Sequence, residues 1–243
     1  MNKSFESDLK HFISLTTDHT PFSLSRFGDG ELSIIKNIPY NASRHHGAYE
    51  FTFDGSIKHD FSREQLIEAY KYTGAMHYTG IICPCCSTLD THLQARQYTN
   101  APGHLLTWAN IFVNSNSTLF YNEMLPVFSS YKNIILVCNK IANYKKLPFS
   151  SHIKHIFTVG NNAWLTSMHI VEKIKHLSGN IKDALFIVAA GPLSNVIVMT
   201  CHQTNPLNTY IDIGSVLDPF MIGKTRGYHK NNNKFHSRVC TWE

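Results

Sequence analysis

The stretch ALFIVAAGPLSNVIV, residues 184–198, decides the fold. Its first half is a short, continuous apolar run of the kind that forms a strand buried on both faces of a sheet. Gly191 and Pro192 then interrupt the run, and proline is well tolerated in the first turn of a helix. We therefore predict a strand, a tight turn and a helix that begins near Pro192. The same interruption argues against a simple membrane span.

The same alternation continues in both directions along the chain. Helices are predicted at 63–73 and 163–177, where apolar residues recur at helical spacing. Further strands are predicted at PFSLSRF (21–27), TGIICP (79–84), KNIILVCN (132–139), HIKHIFTVG (152–160) and TYIDIGS (209–215). Apolar strands separated by helices predict an α/β fold with a Rossmann-like, mostly parallel sheet and helices on both faces.

Composition limits the possible classes of protein. The chain has 243 residues, of which 43% are hydrophobic and 16% charged, and we expect one domain over 1–243 with a core at about 20–230 and a polar tail at 230–243. The net charge of +5 comes from scattered basic residues, so we expect no nucleic-acid partner. No stretch of 18 apolar residues and no secretory leader is visible, so we expect a cytoplasmic protein without a transmembrane segment. The oligomeric state stays open.

Polar, glycine-containing loops follow several of the predicted strands. In parallel sheets, ligands bind beyond the carboxyl ends of the strands, where such loops gather. We therefore expect the functional site to be built from FGDGE (27–31), TVGNNAW (158–164), AAGPLSN (189–195) and DIGSVLDP (212–219).

The loop FGDGE has two interpretations. Asp29 and Glu31 can cap the N-terminus of a helix, which leaves Gly30 unexplained because glycine is a poor helix residue. Alternatively, two carboxylates at positions i and i+2 of a non-helical turn can hold Mg²⁺ or Mn²⁺ and leave coordination positions open for a diphosphate. The thirteen residues SLSRFGDGELSII (23–35) do not decide between the two interpretations.

The cysteines of CPCC (83–86) have the C-x-x-C spacing of redox pairs and half zinc sites. No second C-x-x-C follows, and His77 and His92 do not have zinc-finger spacing. We therefore expect reduced thiols and no structural metal at Cys83, Cys85 and Cys86. In the tail, Cys240 is expected only to help anchor the end of the chain.

SRFGDGE (25–31) resembles the signature of glycosyltransferases with the GT-D fold, the DUF1792-type domain, whose D-x-E motif binds metal and nucleotide-sugar. Further similar segments follow in the order of the family. They are WANIFVNSNSTLFYNEMLPVF (108–128), VGNNAW (159–164), AAGPLSNVIV (189–198), TYIDIGSVLDPF (209–220) and GKTRGYH (223–229). Ser215 departs from the family, where other members carry histidine.

This resemblance implies transfer of a sugar from a nucleoside diphosphate sugar, UDP-sugar being the expected donor, to a hydroxyl of a glycan or glycoconjugate. Asp29 and Glu31 would hold Mn²⁺ or Mg²⁺, and Asp212 would join them in catalysis. Arg26, Lys224, Arg226 and His229 would bind phosphate oxygens. The other expected binding residues are Gly28, Gly30, Asn110, Asn162, Gly191, Pro192, Ser215 and Tyr228.

Two points stay open in the sequence. The general base that an inverting reaction needs could be Glu31, Asp54, Asp212 or Asp218. The same carboxylates also fit a metal-dependent phosphoesterase or nucleotide-sugar hydrolase, and the loops fit a non-catalytic nucleotide-sugar-binding protein. The sequence identifies neither the sugar nor the acceptor, because pocket shape determines both.

Overall fold

A computed structural model describes residues 4–42, 51–229 and 233–242. Its strands are β1 (Ser23–Phe27), β2 (Tyr40–Asn41), β3 (Thr52–Phe53), β4 (His77–Ile81), β5 (Leu106–Trp108), β6 (Asn133–Asn139), β7 (Ile153–Val159), β8 (Ala184–Val188) and β9 (Thr209–Asp212). Its α-helices are α1 (Phe5–Thr17), α2 (Asp29–Ile35), α3 (Asp60–Lys71), α4 (Leu89–Tyr98), α5 (Ser117–Leu119), α6 (Leu125–Val127), α7 (Ala163–Thr166), α8 (Met168–Asn180), α9 (Pro192–Thr204), α10 (Asp218–Met221) and α11 (Asn233–His236).

Seven strands form one parallel sheet in the order β5-β4-β1-β9-β8-β6-β7. The strand β9 lies between β1 and β8, with Leu24 opposite Ile211 on one side and Ile187 opposite Ile211 on the other. All seven carboxyl ends therefore lie at one edge, and the loops FGDGE and DIGS meet there. The α/β, Rossmann-like fold predicted from the sequence is confirmed.

The strands alternate their side chains between two apolar cores, one on each face of the sheet. Ile135 and Val137 of β6 pack on one face, whereas Ile134 and Leu136 pack on the other. Helices α3, α8 and α9 contribute buried residues to the first core, and α1 contributes to the second. This double burial is why the strands read as continuous apolar runs rather than as alternating ones.

Local details differ from the pattern-based prediction. The helix predicted over 163–177 is interrupted at Ser167, which separates α7 from α8. The segment between α5 and α6 is a π-helical turn, Phe120–Met124, and the short antiparallel pair β2–β3 was not predicted. Within the described residues, no helix is long and apolar enough to cross a bilayer.

Candidate functional site

A cavity of about 300 Å³ lies at the carboxyl edge of the sheet. It is bounded by the loops after β1, β6, β7, β8 and β9, which is where ligands bind in parallel α/β sheets. Twelve of the fifteen site residues predicted from the sequence line it: Arg26, Gly28, Asp29, Gly30, Glu31, Asn110, Asn162, Gly191, Asp212, Ser215, Arg226 and Tyr228. Pro192, Lys224 and His229 do not.

Asp29 and Glu31 lie in the first turn of α2. The metal interpretation had assumed that they lie in a non-helical turn. Gly28 is the N-cap, so Asp29 is the first helical residue and is exposed. The Glu31 carboxylate turns back and accepts a hydrogen bond from the Gly28 N–H at 3.0 Å. Glu31 therefore caps the helix, while Asp29 keeps a carboxylate at the cavity wall, where the Tyr40 hydroxyl donates to it at 3.3 Å.

Gly30, which neither sequence interpretation explained, lies under two aromatic rings. A Cβ atom at this position would come within 2.5 Å of Phe51 Cζ and 3.0 Å of Tyr40 Cε1. The two rings stack with their centroids 5.5 Å apart, and both line the cavity. Glycine is therefore needed for the close approach of the β2–β3 region to α2.

Arg26 holds the centre of the site together. Its Nε donates to the Asp212 carbonyl oxygen at 2.7 Å and its Nη1 donates to the Ala109 carbonyl oxygen at 2.9 Å. Its Nη2 lies 3.8 Å from the Asp212 carboxylate. Gly214 makes this possible, because it has a φ of +55° and a Cβ there would lie 2.0 Å from Arg26 Nη2.

Three carboxyl groups of the cavity have raised pKa values, and burial is the main cause in each. Burial, with a smaller effect of the Asp212 and Asp29 charges, raises the pKa of Glu31 to about 7. Burial raises the pKa of Asp212, although Arg26 opposes the shift. Burial also raises the pKa of Asp218 to about 6, against a hydrogen bond from Thr225. Such perturbed groups gathered in one cavity are typical of functional sites.

The wall of the cavity opposite α2 is formed by DIGS (212–215) and GKTRGYH (223–229), which contact each other. The hydroxyl groups of Ser215 and Tyr228 lie 2.5 Å apart, and Arg226 Nε donates to Ser215 Oγ at 3.1 Å. His229 lies behind this wall and accepts a hydrogen bond from the Arg226 N–H. Burial and the Arg226 charge lower the pKa of His229 to about 4, so it is neutral near pH 7 and unsuited to the phosphate contact expected from the sequence.

The remaining predicted residues are placed by the loops after β5, β7 and β8. Gly191, with a φ of +58°, forms the turn before α9, whereas Pro192 is buried in the first turn of that helix. The Asn162 side-chain oxygen accepts from the Thr52 N–H at 2.6 Å, so this side chain fixes β3 to the cavity rim. Asn110 lines the cavity beside Ala109.

The structure separates the candidate bases. Asp54 does not line the cavity; it is half-exposed and pairs with Lys58 at 2.9 Å. Hydrogen bonds from Ser56 and Lys58 lower the pKa of Asp54, which makes it a weak base. Asp218 is buried at the cavity wall and its Oδ2 accepts from the Thr225 hydroxyl at 2.6 Å. Asp218 is therefore better placed than Asp54.

Sequence analysis missed the aromatic part of the site. Tyr40 and Phe51 lie on or beside two-residue strands, which are too short for any periodic pattern to reveal. It also missed Asn195, a fully buried residue of α9 whose Oδ1 accepts from the Arg26 N–H at 3.0 Å. The unexplained Gly30 was the one signal of a close partner.

The charges of the cavity suit a divalent cation. Four carboxylates line it (Asp29, Glu31, Asp212 and Asp218) against the guanidinium groups of Arg26 and Arg226. With all four carboxylates ionised, an anionic diphosphate would meet excess negative charge unless a cation accompanied it; the raised pKa values of Glu31, Asp212 and Asp218 reduce that charge. Within the described residues no three carboxylates lie within 4.8 Å of one another, so the protein would supply one or two oxygen ligands, as is usual for Mg²⁺.

Comparisons with known proteins show what the fold resembles. No protein-family model matches the sequence, and no curated protein matches it. A structure described as a new glycosyltransferase (DUF1792) from Streptococcus sanguinis aligns over 86% of this chain and 80% of its own, with a TM-score of 0.57 and 14% identity. A second, described as showing that DUF1792 has a distinct glycosyltransferase fold, aligns over 88% and 83%, with a TM-score of 0.51 and 14% identity. The chain thus has the fold of the DUF1792 glycosyltransferase structures.

Proposed function

We propose that this protein is a metal-dependent glycosyltransferase that moves a sugar from a nucleoside diphosphate sugar, with UDP-sugar the expected donor, to a hydroxyl of a glycan or glycoconjugate. One observation carries the proposal. The cavity at the carboxyl edge of the sheet collects Asp29, Glu31, Asp212, Arg26 and Arg226 from three separate segments of the chain. The fold likeness to DUF1792 glycosyltransferases supports the same function.

The residues divide into an anion-binding part and a cation-binding part. The guanidinium groups of Arg26 and Arg226 line the cavity, where they would bind a diphosphate through strong paired hydrogen bonds to its phosphate oxygens. Asp29 and Glu31 would hold Mn²⁺ or Mg²⁺, which, when bound, neutralises negative charge that develops on the departing diphosphate. Glu31 Oε2 accepts the hydrogen bond from the Gly28 N–H, and the other carboxylate oxygen, Oε1, would bind the cation.

The aromatic pair and the far wall provide the remaining contacts. The stacked rings of Tyr40 and Phe51 offer a flat apolar surface for a base or a sugar ring. Ser215 and Tyr228 add hydroxyl groups that can bind sugar hydroxyls. These contacts keep the donor oriented while water is excluded.

We assign the proton transfer to Asp218 rather than to Asp212. The Asp212 carboxylate already accepts from the Gly214 N–H at 3.0 Å and pairs with Arg26, so its role is to position that arginine. Asp218, whose pKa burial raises to about 6, accepts protons close to neutral pH. In this scheme Asp218 takes the proton of the acceptor hydroxyl as the sugar is transferred.

Donor binding by two charge-removing variants tests the proposal. We expect nucleoside diphosphates and their sugars to stabilise the wild type against heat more strongly with Mn²⁺ than with a chelator. Asp29→Asn and Glu31→Gln should lose this metal dependence, because each removes an anionic oxygen ligand. Glutamine at position 31 can still accept from the Gly28 N–H, so α2 keeps its cap and the melting temperature stays within a few degrees of wild type.

Asp54→Asn is the matched control, since it makes the same change at a carboxylate outside the cavity. It should bind donor with Mn²⁺ as the wild type does. Equal metal-dependent affinity in the wild type, Asp29→Asn and Glu31→Gln would contradict the metal role. Release of the nucleotide without any need for an acceptor would favour a nucleotide-sugar hydrolase. A cytoplasmic location stays a prediction.

A further inference from the structure

Four cysteine sulfurs meet in one cluster whose residues do not line the cavity. Cys83, Cys85 and Cys86 belong to the loop after β4, and Cys240 comes from the C-terminal segment, 154 residues from Cys86. All four Sγ atoms lie within 4.8 Å of one another. The individual distances include 3.1 Å for Cys83–Cys85, 3.9 Å for Cys85–Cys86 and 3.7 Å for Cys86–Cys240.

These distances lie around the spacing that one tetrahedral ion requires. Zinc bound by four cysteines has Zn–S bonds of about 2.3 Å, which places the sulfurs about 3.8 Å apart. We propose that Cys83, Cys85, Cys86 and Cys240 bind one structural zinc ion. This replaces the interpretation of three unliganded thiols, which rested on the absence of a second C-x-x-C and of suitably spaced histidines. The fourth ligand, Cys240, lies too far along the chain for such spacing to reveal it.

Hydrogen-bond donors contact two of the four sulfurs, as they do in thiolate metal sites. Asn114 Nδ2 points at Cys86 Sγ at 3.4 Å and at Cys240 Sγ at 3.3 Å, and Arg238 Nη1 lies 3.9 Å from Cys86 Sγ. Asn114 is buried and has a φ of +57°, a conformation that asparagine tolerates better than most residues. A neutral thiol cluster would not need this concentration of donors, whereas four thiolates around Zn²⁺ carry net negative charge.

Zinc is favoured over the other occupants of such a cluster. A sulfur set that spans 4.8 Å encloses a single ion and leaves no room for a multi-iron cluster at its centre. Of the single ions that accept tetrahedral sulfur ligands, Zn²⁺ binds more tightly than Fe²⁺. On binding, the four thiols lose their protons to solvent and form four Zn–S bonds, with no change of oxidation state.

The proposed ion would join the C-terminal segment to the body of the protein. The Ser115 N–H donates to the Arg238 carbonyl oxygen at 3.0 Å, and Trp242 stacks on Trp108 with ring centroids 4.4 Å apart. In the same segment, Phe235 packs against Gly227, where a Cβ would lie 3.0 Å from the Phe235 ring. Gly227 lies between Arg226 and Tyr228 of the cavity wall, so the zinc site supports that wall from outside.

Metal analysis of the reduced full chain tests the proposal. We expect about one zinc per chain by mass spectrometry after purification without a metal-affinity step. X-ray absorption should show four sulfur neighbours at about 2.3 Å, and Co²⁺ substitution should give the intense visible bands of tetrahedral thiolate cobalt. Cys240→Ser and Cys86→Ser should lose zinc and melt at lower temperature, because serine replaces a thiolate ligand with a weakly coordinating hydroxyl.

Cys201→Ser is the matched control, since it makes the same change at a buried thiol in the core on the other face of the sheet, and it should keep its zinc. Reduced wild-type protein that holds no zinc when zinc is supplied would overturn the proposal, as would stoichiometric iron. Undiminished zinc and unchanged sulfur coordination in Cys240→Ser would overturn the four-cysteine assignment. If a variant fails to fold, the metal content and the cobalt spectrum of the wild type still test the zinc proposal. None of these measurements depends on glycosyl transfer.

Discussion

Single side chains in this protein take their chemistry from burial. Asp218 and Asp54 are both aspartates at the same end of the sheet, yet burial raises the pKa of Asp218 to about 6 while hydrogen bonds lower that of Asp54. In the sequence, these two aspartates are chemically equivalent. Only the fold, which places one at the cavity wall and the other beside Lys58 in solvent, gives them different roles.

We predict that Asp218→Asn separates catalysis from binding. Asparagine can still accept from Thr225 but cannot take a proton, so transfer should fall by a factor of about 10²–10⁴ while donor affinity stays near wild type. Turnover with a screened acceptor and thermal shift with donor measure the two effects. Asp54→Asn should change neither. Full transfer activity in Asp218→Asn would remove Asp218 from the reaction.

At the scale of elements, the sequence predicted which segments form strands better than it predicted how those segments pack against one another. The strands β1, β6, β8 and β9 were recognisable because burial on both faces produces continuous apolar runs. The site loops were recognisable because turns at strand ends need glycine and polar residues. By contrast, the packing of β2 and β3 on α2 depends on contacts between distant residues, so only Gly30 hinted at it.

The Gly30→Ala variant tests the packing of β2 and β3 on α2, and Gly179→Ala is its control. Both glycines are helical, so alanine should favour each helix by about 1 kcal/mol. At Gly179 the added Cβ meets only Thr204 Cγ2 at 3.5 Å, and we expect a small gain in stability. At Gly30 it meets Phe51 at 2.5 Å, so the Tyr40–Phe51 pair must shift; the gain should vanish and donor binding should weaken.

Chemical unfolding and donor titration of the two alanine variants give the comparison. If both variants are stabilised equally and Gly30→Ala binds donor as the wild type does, the position of the Tyr40–Phe51 pair over α2 is not needed for donor binding.

At the scale of the whole molecule, two buried histidines contribute to the response to acid. His77 Nδ1 is hydrogen-bonded to Ser23 Oγ at 2.6 Å, and His202 Nδ1 is hydrogen-bonded to the Tyr72 hydroxyl at 3.0 Å. Burial lowers the pKa of His77 to about 3 and that of His202 to about 4. At these two side chains the unfolded chain, with histidine pKa values near 6.5, therefore binds more protons than the folded protein in mildly acidic solution.

We predict that the free energy of unfolding is constant with respect to these two groups above about pH 6.5 and falls as the pH drops towards 4. Each histidine contributes a slope of up to about 1.4 kcal/mol per pH unit. Urea unfolding at a series of pH values measures the slope. His202→Gln should reduce it by about one proton, whereas His155→Gln, at an exposed position of β7, should leave it unchanged. An unaltered slope in His202→Gln would contradict the prediction.

The position of β9 has a consequence for the order of folding. β9 joins β5-β4-β1 to β8-β6-β7, although it follows all of these strands in the sequence. Until β9 inserts, each half of the sheet presents an open apolar edge, and such edges pair with other chains. Contacts between residues near 23 and 210 also close a long loop, which slows folding. Newly made chains should therefore aggregate more at high temperature and high concentration than the native stability would suggest, and slow synthesis in the cold should raise the yield.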